Sequence, residues 1–121
     1  MSESDGVARV CRLPVDFYEG GSKSMLQLVA ESGIRANLTQ LAVPRIMHYL
    51  EAHSELIEQW LRWSANKRVT SGWYFTSQAG AFVVGFHPNG EVLNFADPAL
   101  ACAEFVVREV SALARMLRPG N

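Results

Sequence analysis

Between Gly72 and Phe95 the chain reads GWYFTSQAGAFVVGFHPNGEVLNF, with large apolar side chains on alternate positions and turn residues at two places. A period of two sends successive side chains to opposite faces of a strand, so a single register decides which set is buried. The spacing predicts one antiparallel pair of strands, GWYFT and AFVVGFH, joined by the loop Ser77-Gln78-Ala79-Gly80. Thr76 would then face Ala81, Phe75 face Phe82, and Trp73 face Val84. Asn-Gly in PNGE marks a second turn, because both residues tolerate positive φ. A two-residue turn there sets Phe86 opposite Leu93 and Val84 opposite Phe95. A four-residue turn from His87 to Gly90 shifts that pairing by two and keeps the same faces together. An odd loop would flip EVLNF and leave Leu93 and Phe95 in water. Burying each such side chain is worth ~1.5–3 kcal/mol, so an even loop is expected. Pro88 counts against the two-residue form, since it lacks the N–H that closes that turn. Trp73, Phe75, Phe82, Val84, Phe86, Leu93 and Phe95 should therefore turn inward together.

What covers that face is written next in the chain. In ADPALACAEFVVREVSALARMLRPGN, Asp97 is placed to cap a helix, Pro98 suits its first position, and RPG stops it. Leu100, Ala103, Val107, Val110, Ala114 and Leu117 make an inward stripe, and Glu104, Arg108, Ser111 and Arg115 a solvated one. The short link from Phe95 to Pro98 throws this helix straight back over the sheet. Upstream, Ser22 or Ser24 can cap a helix through about Ser32, with Met25, Leu28 and Val29 inward and Gly33 as its stop. Leu38, Leu41, Ala42, Ile46, Tyr49 and Leu50 share one helical face, interrupted by Pro44. Either that helix kinks, or it begins afresh with Pro44 in its first turn. Ser54 caps a further helix to about Lys67, with Ile57, Trp60, Leu61 and Ser64 inside, a Glu58–Arg62 pair outside, and Lys67 and Arg68 at its end. Residues 1–7 read as a flexible tail, and ARVCRLPVDF as a short edge strand, because Cys11, Leu13, Val15 and Phe17 share one parity. Helices, then a three-stranded antiparallel meander with that fourth edge strand, then a helix packed on the sheet: the class is α+β, a single domain over residues 8–121.

The bulk composition narrows function by exclusion. Across 121 residues the net charge is −1, and the eleven basic residues are scattered, so no basic stripe marks a nucleic-acid or anionic-membrane surface. MSESDG lacks the cationic and apolar regions of a secretory signal, and no apolar run approaches the ~20 residues of a bilayer span. The two cysteines, Cys11 and Cys102, are expected to be reduced thiols in a cytoplasmic protein.

Catalytic patterns are equally sparse. His48, Glu51 and His53 lie close in sequence, but His53 stands five positions from His48, about 140° round a helix, which argues against one shared ion. There is no G-x-S-x-G elbow, no P-loop and no G-x-G-x-x-G after a strand. His87 reads as a turn residue. Trp60, Trp63 and Trp73 read as core, with a ligand pocket beneath them as the alternative. No cofactor is expected. One surface stays unassigned: the second sheet face, carrying Tyr74, Thr76, Ala81, Val83, Gly85, His87, Val92 and Asn94. Either the N-terminal segment or first helix covers it, or it is a docking face.

The stretches HSELIEQWLRWSANKRVTSGWYF and GFHPNGEVLNFADPALACAEFVVRE resemble a family of small, mostly uncharacterised bacterial cytoplasmic proteins, over about Leu38 to Val110. Pro44 departs from that pattern. The resemblance implies a compact non-enzymatic domain among proteins that include immunity partners of bacterial toxins, and it supplies no catalytic residue. The expected function is therefore a protein-binding module whose partner is a protein, a toxin domain among the candidates, with contacts at Glu51, Glu55, Glu58, Tyr74 and His87. A small-ligand binder or enzyme near the tryptophans, and a homodimeric structural subunit, are the alternatives.

Overall fold

A computed structural model describes residues 4–20, 23–66, 72–87 and 90–117. Six α-helices and one antiparallel sheet are present among them: α1 (Ser4–Cys11), α2 (Leu13–Gly20), α3 (Met25–Ser32), a 3₁₀ segment (Ile34–Gln40), α4 (Val43–Ala52), α5 (Glu55–Asn66), β1 (Gly72–Gln78), β2 (Ala81–His87), β3 (Val92–Phe95) and α6 (Pro98–Met116). The fold is α+β, with the sheet in the order β1-β2-β3 and α6 packed on it.

The segment read as an edge strand is helical. Val7, Val10 and Cys11 are buried at helical spacing, as is Leu13, whereas Val15 and Phe17 are only half-buried. The strand parity is thus incidental, and the helical period starts at Val7, inside the expected tail. Pro14 falls in the first turn of α2, where its missing N–H costs no hydrogen bond. The chain here turns from one helix into the next, with Asp16 N bonding to the Arg12 carbonyl.

The middle helices start and stop where their sequence dictates. Ser24 accepts a hydrogen bond from Gln27 N at the head of α3, and Gly33, at φ 75°, ends it in the left-handed region that glycine enters without strain. Of the two readings of Pro44, the fresh start holds, with the proline at the head of α4. Leu38, expected inside, is 49% exposed, because the residues before Leu41 form a 3₁₀ segment on which a 3.6-residue period does not hold. In α5, Ile57, Trp60 and Ser64 are buried as expected, while Arg62 lies 4.3 Å over the Tyr18 ring. Lys67, Arg68 and the RPG stop lie outside the described residues.

The sheet keeps its predicted faces with one register corrected. β1 and β2 meet in a two-residue turn at Ala79-Gly80, so Phe75 faces Val84, Trp73 faces Phe86, and Ser77 faces Phe82. Both turn residues have positive φ, 50° and 82°, the geometry whose twist matches antiparallel strands. Ala79 bears roughly 1–2 kcal/mol of left-handed strain there. The tighter turn extends the ladder by two further residue pairs relative to the four-residue loop expected. Between β2 and β3 the four-residue option holds: Val84 faces Leu93, Phe82 faces Phe95, and Phe86 N bonds to the Glu91 carbonyl at 3.1 Å.

Phe75 and Val84 are buried under α6, with Trp73, Phe82 and Phe95 packed at the margin and Phe86 38% exposed. Phe105 of α6 stacks on Phe75 at 5.6 Å and meets Trp60 edge-on at 5.8 Å. Trp60 is fully buried, and its indole N–H donates to the Cys11 carbonyl at 3.0 Å, tying α5 to the end of α1. The opposite side of α6 packs on α3 and α4. α6 is accordingly buried on two sides: Ala103, Val110 and Ala114 of the predicted stripe are buried while Leu100, Val107 and Leu117 are half-buried, Cys102, Val106 and Glu109 are buried outside that stripe, and the small residues of ALACA allow this close approach.

Candidate functional site

The second sheet face carries no helix packed flat across it among the described residues. Among the described residues, the helices packed on the strands are α5 and α6; α1 and α2 pack instead against other helices. α6 takes the aromatic face. α5 runs beside β1, and the buried Ser64 hydroxyl accepts the Phe75 N–H at 2.7 Å. That bond satisfies a backbone donor on the edge of β1 and fixes α5 as a wall standing beside the outer face. Wall and floor enclose a groove of about 590 Å³, lined on one side by Leu61, Ser64 and Ala65 and on the other by Tyr74, Thr76, Gln78 and His87.

Its shape depends on Gly85. This residue pairs with Tyr74 across β1 and β2, and a Cβ added at Gly85 would overlap the Tyr74 ring. With no side chain there, the ring lies down on the sheet, leaving Gly85 buried, and meets the His87 ring at 4.8 Å with 36° between planes. The result is an aromatic platform flanked by hydroxyl and amide groups. Such a floor suits a partner with an apolar patch and backbone-like polar groups, because Tyr offers a large contact area at little cost in side-chain entropy.

The five residues expected to make contact fall in two places. Tyr74 and His87 are brought together on the groove floor. Glu55 and Glu58 are exposed in the first turn of α5, and Glu51 is exposed near the end of α4. Glu58 precedes Leu61 and Ala65 by one and two helical turns, so this one acid continues the groove wall, while Glu55 lies about 120° round α5 from Leu61. Sequence reasoning missed Leu61, Ser64, Ala65 and Gln78 as lining residues. The helical period puts Ser64 among the inner side chains of α5 and names no partner for it. A hydroxyl in an apolar stripe requires a hydrogen-bond partner, and that requirement was the available signal.

The tryptophans do not frame a cavity together. Trp60 and Trp63 pack at 6.0 Å in the core, while Trp73 lies apart against Phe86 at 5.1 Å, with the Arg108 guanidinium 5.4 Å from its ring. Trp63 alone borders a smaller notch of about 290 Å³, with Phe17, Tyr18, Met25 and Asn66. Of the histidine-acid set, His48 and Glu51 are exposed, and His53 stacks on Tyr49 at 4.1 Å with its Nδ1 3.0 Å from the Tyr49 carbonyl. Among the described residues no group of three metal-ligating side chains is assembled.

Both cysteines are free, buried thiols. Burial pushes the Cys11 thiol up from 9.0 to about 12, and it raises Cys102 well above 9.0, with Cys11 adding to the shift. A thiol so shifted stays protonated and is a poor nucleophile at neutral pH. No helix among the described residues is long and apolar enough to cross a membrane. Comparison with protein-family models, curated proteins and solved structures finds no match for this chain.

Proposed function

We propose that this chain is a non-enzymatic, cytoplasmic protein-binding module that docks its partner on the outer sheet face, in the groove between α5 and β1. The observation that carries this reading is the open, preformed groove with the Tyr74–His87 platform as its floor. Among the described residues the lining contains no carboxylate or thiol to pair with His87 in acid–base or nucleophilic chemistry, and the buried Cys11 and Cys102 are held protonated. The exposed Glu55 and Glu58 in the first turn of α5, the helix that walls the groove, supply what steers an oppositely charged partner and sets its association rate. Within this reading, a bacterial toxin domain with a basic surface is the partner class, and the chain is its immunity protein.

The test is affinity capture from the native cell, with the recovered protein identified and its binding remeasured with purified components. Tyr74→Ala should weaken binding at least tenfold, mostly in the dissociation rate. Glu55→Lys with Glu58→Lys should lower the association rate and its salt dependence. Gly85→Ala, which displaces the Tyr74 ring while keeping the residue, should reproduce the Tyr74→Ala loss. Undiminished binding by all three variants would overturn the reading.

A further inference from the structure

The two edges of the sheet differ in how they are finished. On β1, α5 lies alongside, and Ser64 takes up the outward Phe75 N–H. That bond also fixes the direction of every other backbone group. If Phe75 points away from β2, its partner Val84 points toward β3, as does Phe86, whose N–H bonds to the Glu91 carbonyl. Leu93, opposite Val84, then faces back to β2, and Val92 and Asn94 direct their N–H and C=O groups away from the sheet. Val92 is 55% exposed, Asn94 is exposed, and no bond to the outward side of either is made among the described residues.

An edge of this kind is ordinarily blunted by shortness, a charge, a proline or a bulge. At four residues VLNF is short, but it has no charge, proline or bulge within the strand, and its register with β2 is unbroken. Its helix-side residues Leu93 and Phe95 are only half-buried, and Phe86 beside them is 38% exposed. We propose that two copies of this chain pair antiparallel through β3, joining two three-stranded sheets into one of six strands about a two-fold axis.

Charge and register select a second copy in this orientation. Centred on Leu93, the pairing sets Val92 of one copy opposite Asn94 of the other, so that both outward-pointing residues exchange hydrogen bonds. Leu93 meets Leu93 on the side of α6, and the apolar layer continues across the axis. Glu91 of one copy falls opposite Phe95 of the other, whereas a parallel arrangement would set Glu91 beside Glu91. The net charge of −1 adds little repulsion between copies. Pairing through β3 leaves α5 and the groove of each copy at the two far ends, so the dimer is independent of the docking proposal and would present two grooves.

An interface of one short strand implies weak, concentration-dependent association. Sedimentation equilibrium of the full chain from about 10 µM to about 1 mM should show a monomer–dimer equilibrium. Asn94→Pro removes a donated hydrogen bond at an edge position where proline is tolerated, and it should leave a monomer with unchanged circular dichroism. Hydrogen exchange on the unaltered chain is the second readout, needed if that variant misfolds: the Val92 and Asn94 amides should slow with rising concentration. A monomer throughout the range overturns the proposal. So does a dimer in which those amides exchange at a concentration-independent rate.

Discussion

The helix side and the outer side of the sheet share three strands but are held by different means. On the helix side, Phe75 and Val84 are buried beneath α6, and Phe105 joins the sheet to Trp60 and Trp63 through ring contacts of 5.6, 5.8 and 6.4 Å. On the outer side, Tyr74 covers Gly85, and the remaining residues run from the buried Val83 to the exposed Val92 and Asn94, with α5 at the β1 edge and α6 on the other face the helices that pack on the strands among the described residues. The contrast separates two jobs. Closely packed rings set stability, while the outer face owes its shape to one glycine and one tyrosine.

Phe105→Ala probes that division where the expected effect is largest. Removing a fully buried ring that touches three others should cost about 3–5 kcal/mol in chemical denaturation, from lost transfer energy and the cavity left behind. A loss below about 1 kcal/mol would mean that the packed side does not depend on this cluster.

The fold was legible wherever local signals agreed with burial. Asp97 and Pro98 at the head of α6, Ser24 and Gly33 around α3, and the alternation from Trp73 to Phe95 each have one dominant solution. The failures came where two periods fit the same residues. Cys11, Leu13, Val15 and Phe17 satisfy a strand, while Val7, Val10 and Cys11 satisfy a helix, and the decision comes from packing against the 3₁₀ segment and α4. The first hairpin was misread by two residues because Ala79 is an unusual occupant of a left-handed position, and alternation alone is blind to an even shift. Tyr74 and His87 lie together on the second sheet face, where the alternation places them. The groove itself was not legible, because its wall depends on α5 meeting the β1 edge, a contact between segments whose spacing in sequence carries no sign of it.

The interior thiols extend the comparison to pH. Their folded-state pKa values lie above the unfolded value near 9.0, so the protonated form is the one the fold retains. Their contribution is fully present below about pH 9 and is lost as pH rises toward the folded value of about 12 for Cys11. Within that window the unfolded chain releases thiol protons that the folded chain keeps. Stability should fall by about 1.4 kcal/mol per pH unit for each thiol. Denaturant midpoints measured across the window for the unaltered chain and for Cys11→Ala with Cys102→Ala should show a shallower slope in the variant. Equal slopes would mean that the thiols titrate alike in both states, which a dry interior does not permit.

The smallest expected effect tests the outer side. Val92→Thr keeps the shape and the β-branch while replacing a methyl group with a hydroxyl. At a position 55% exposed the hydroxyl stays hydrated, and stability should change by less than about 0.5 kcal/mol. The same exchange in a dry site would strand a hydroxyl without a partner, at a cost of about 1–3 kcal/mol. Val84, fully buried on the same sheet and facing α6, supplies that reference within one molecule. If Val92→Thr and Val84→Thr destabilise equally, the outer face at β3 is covered in solution. If Val84→Thr alone is costly, the asymmetry between the two faces holds at the level of single side chains.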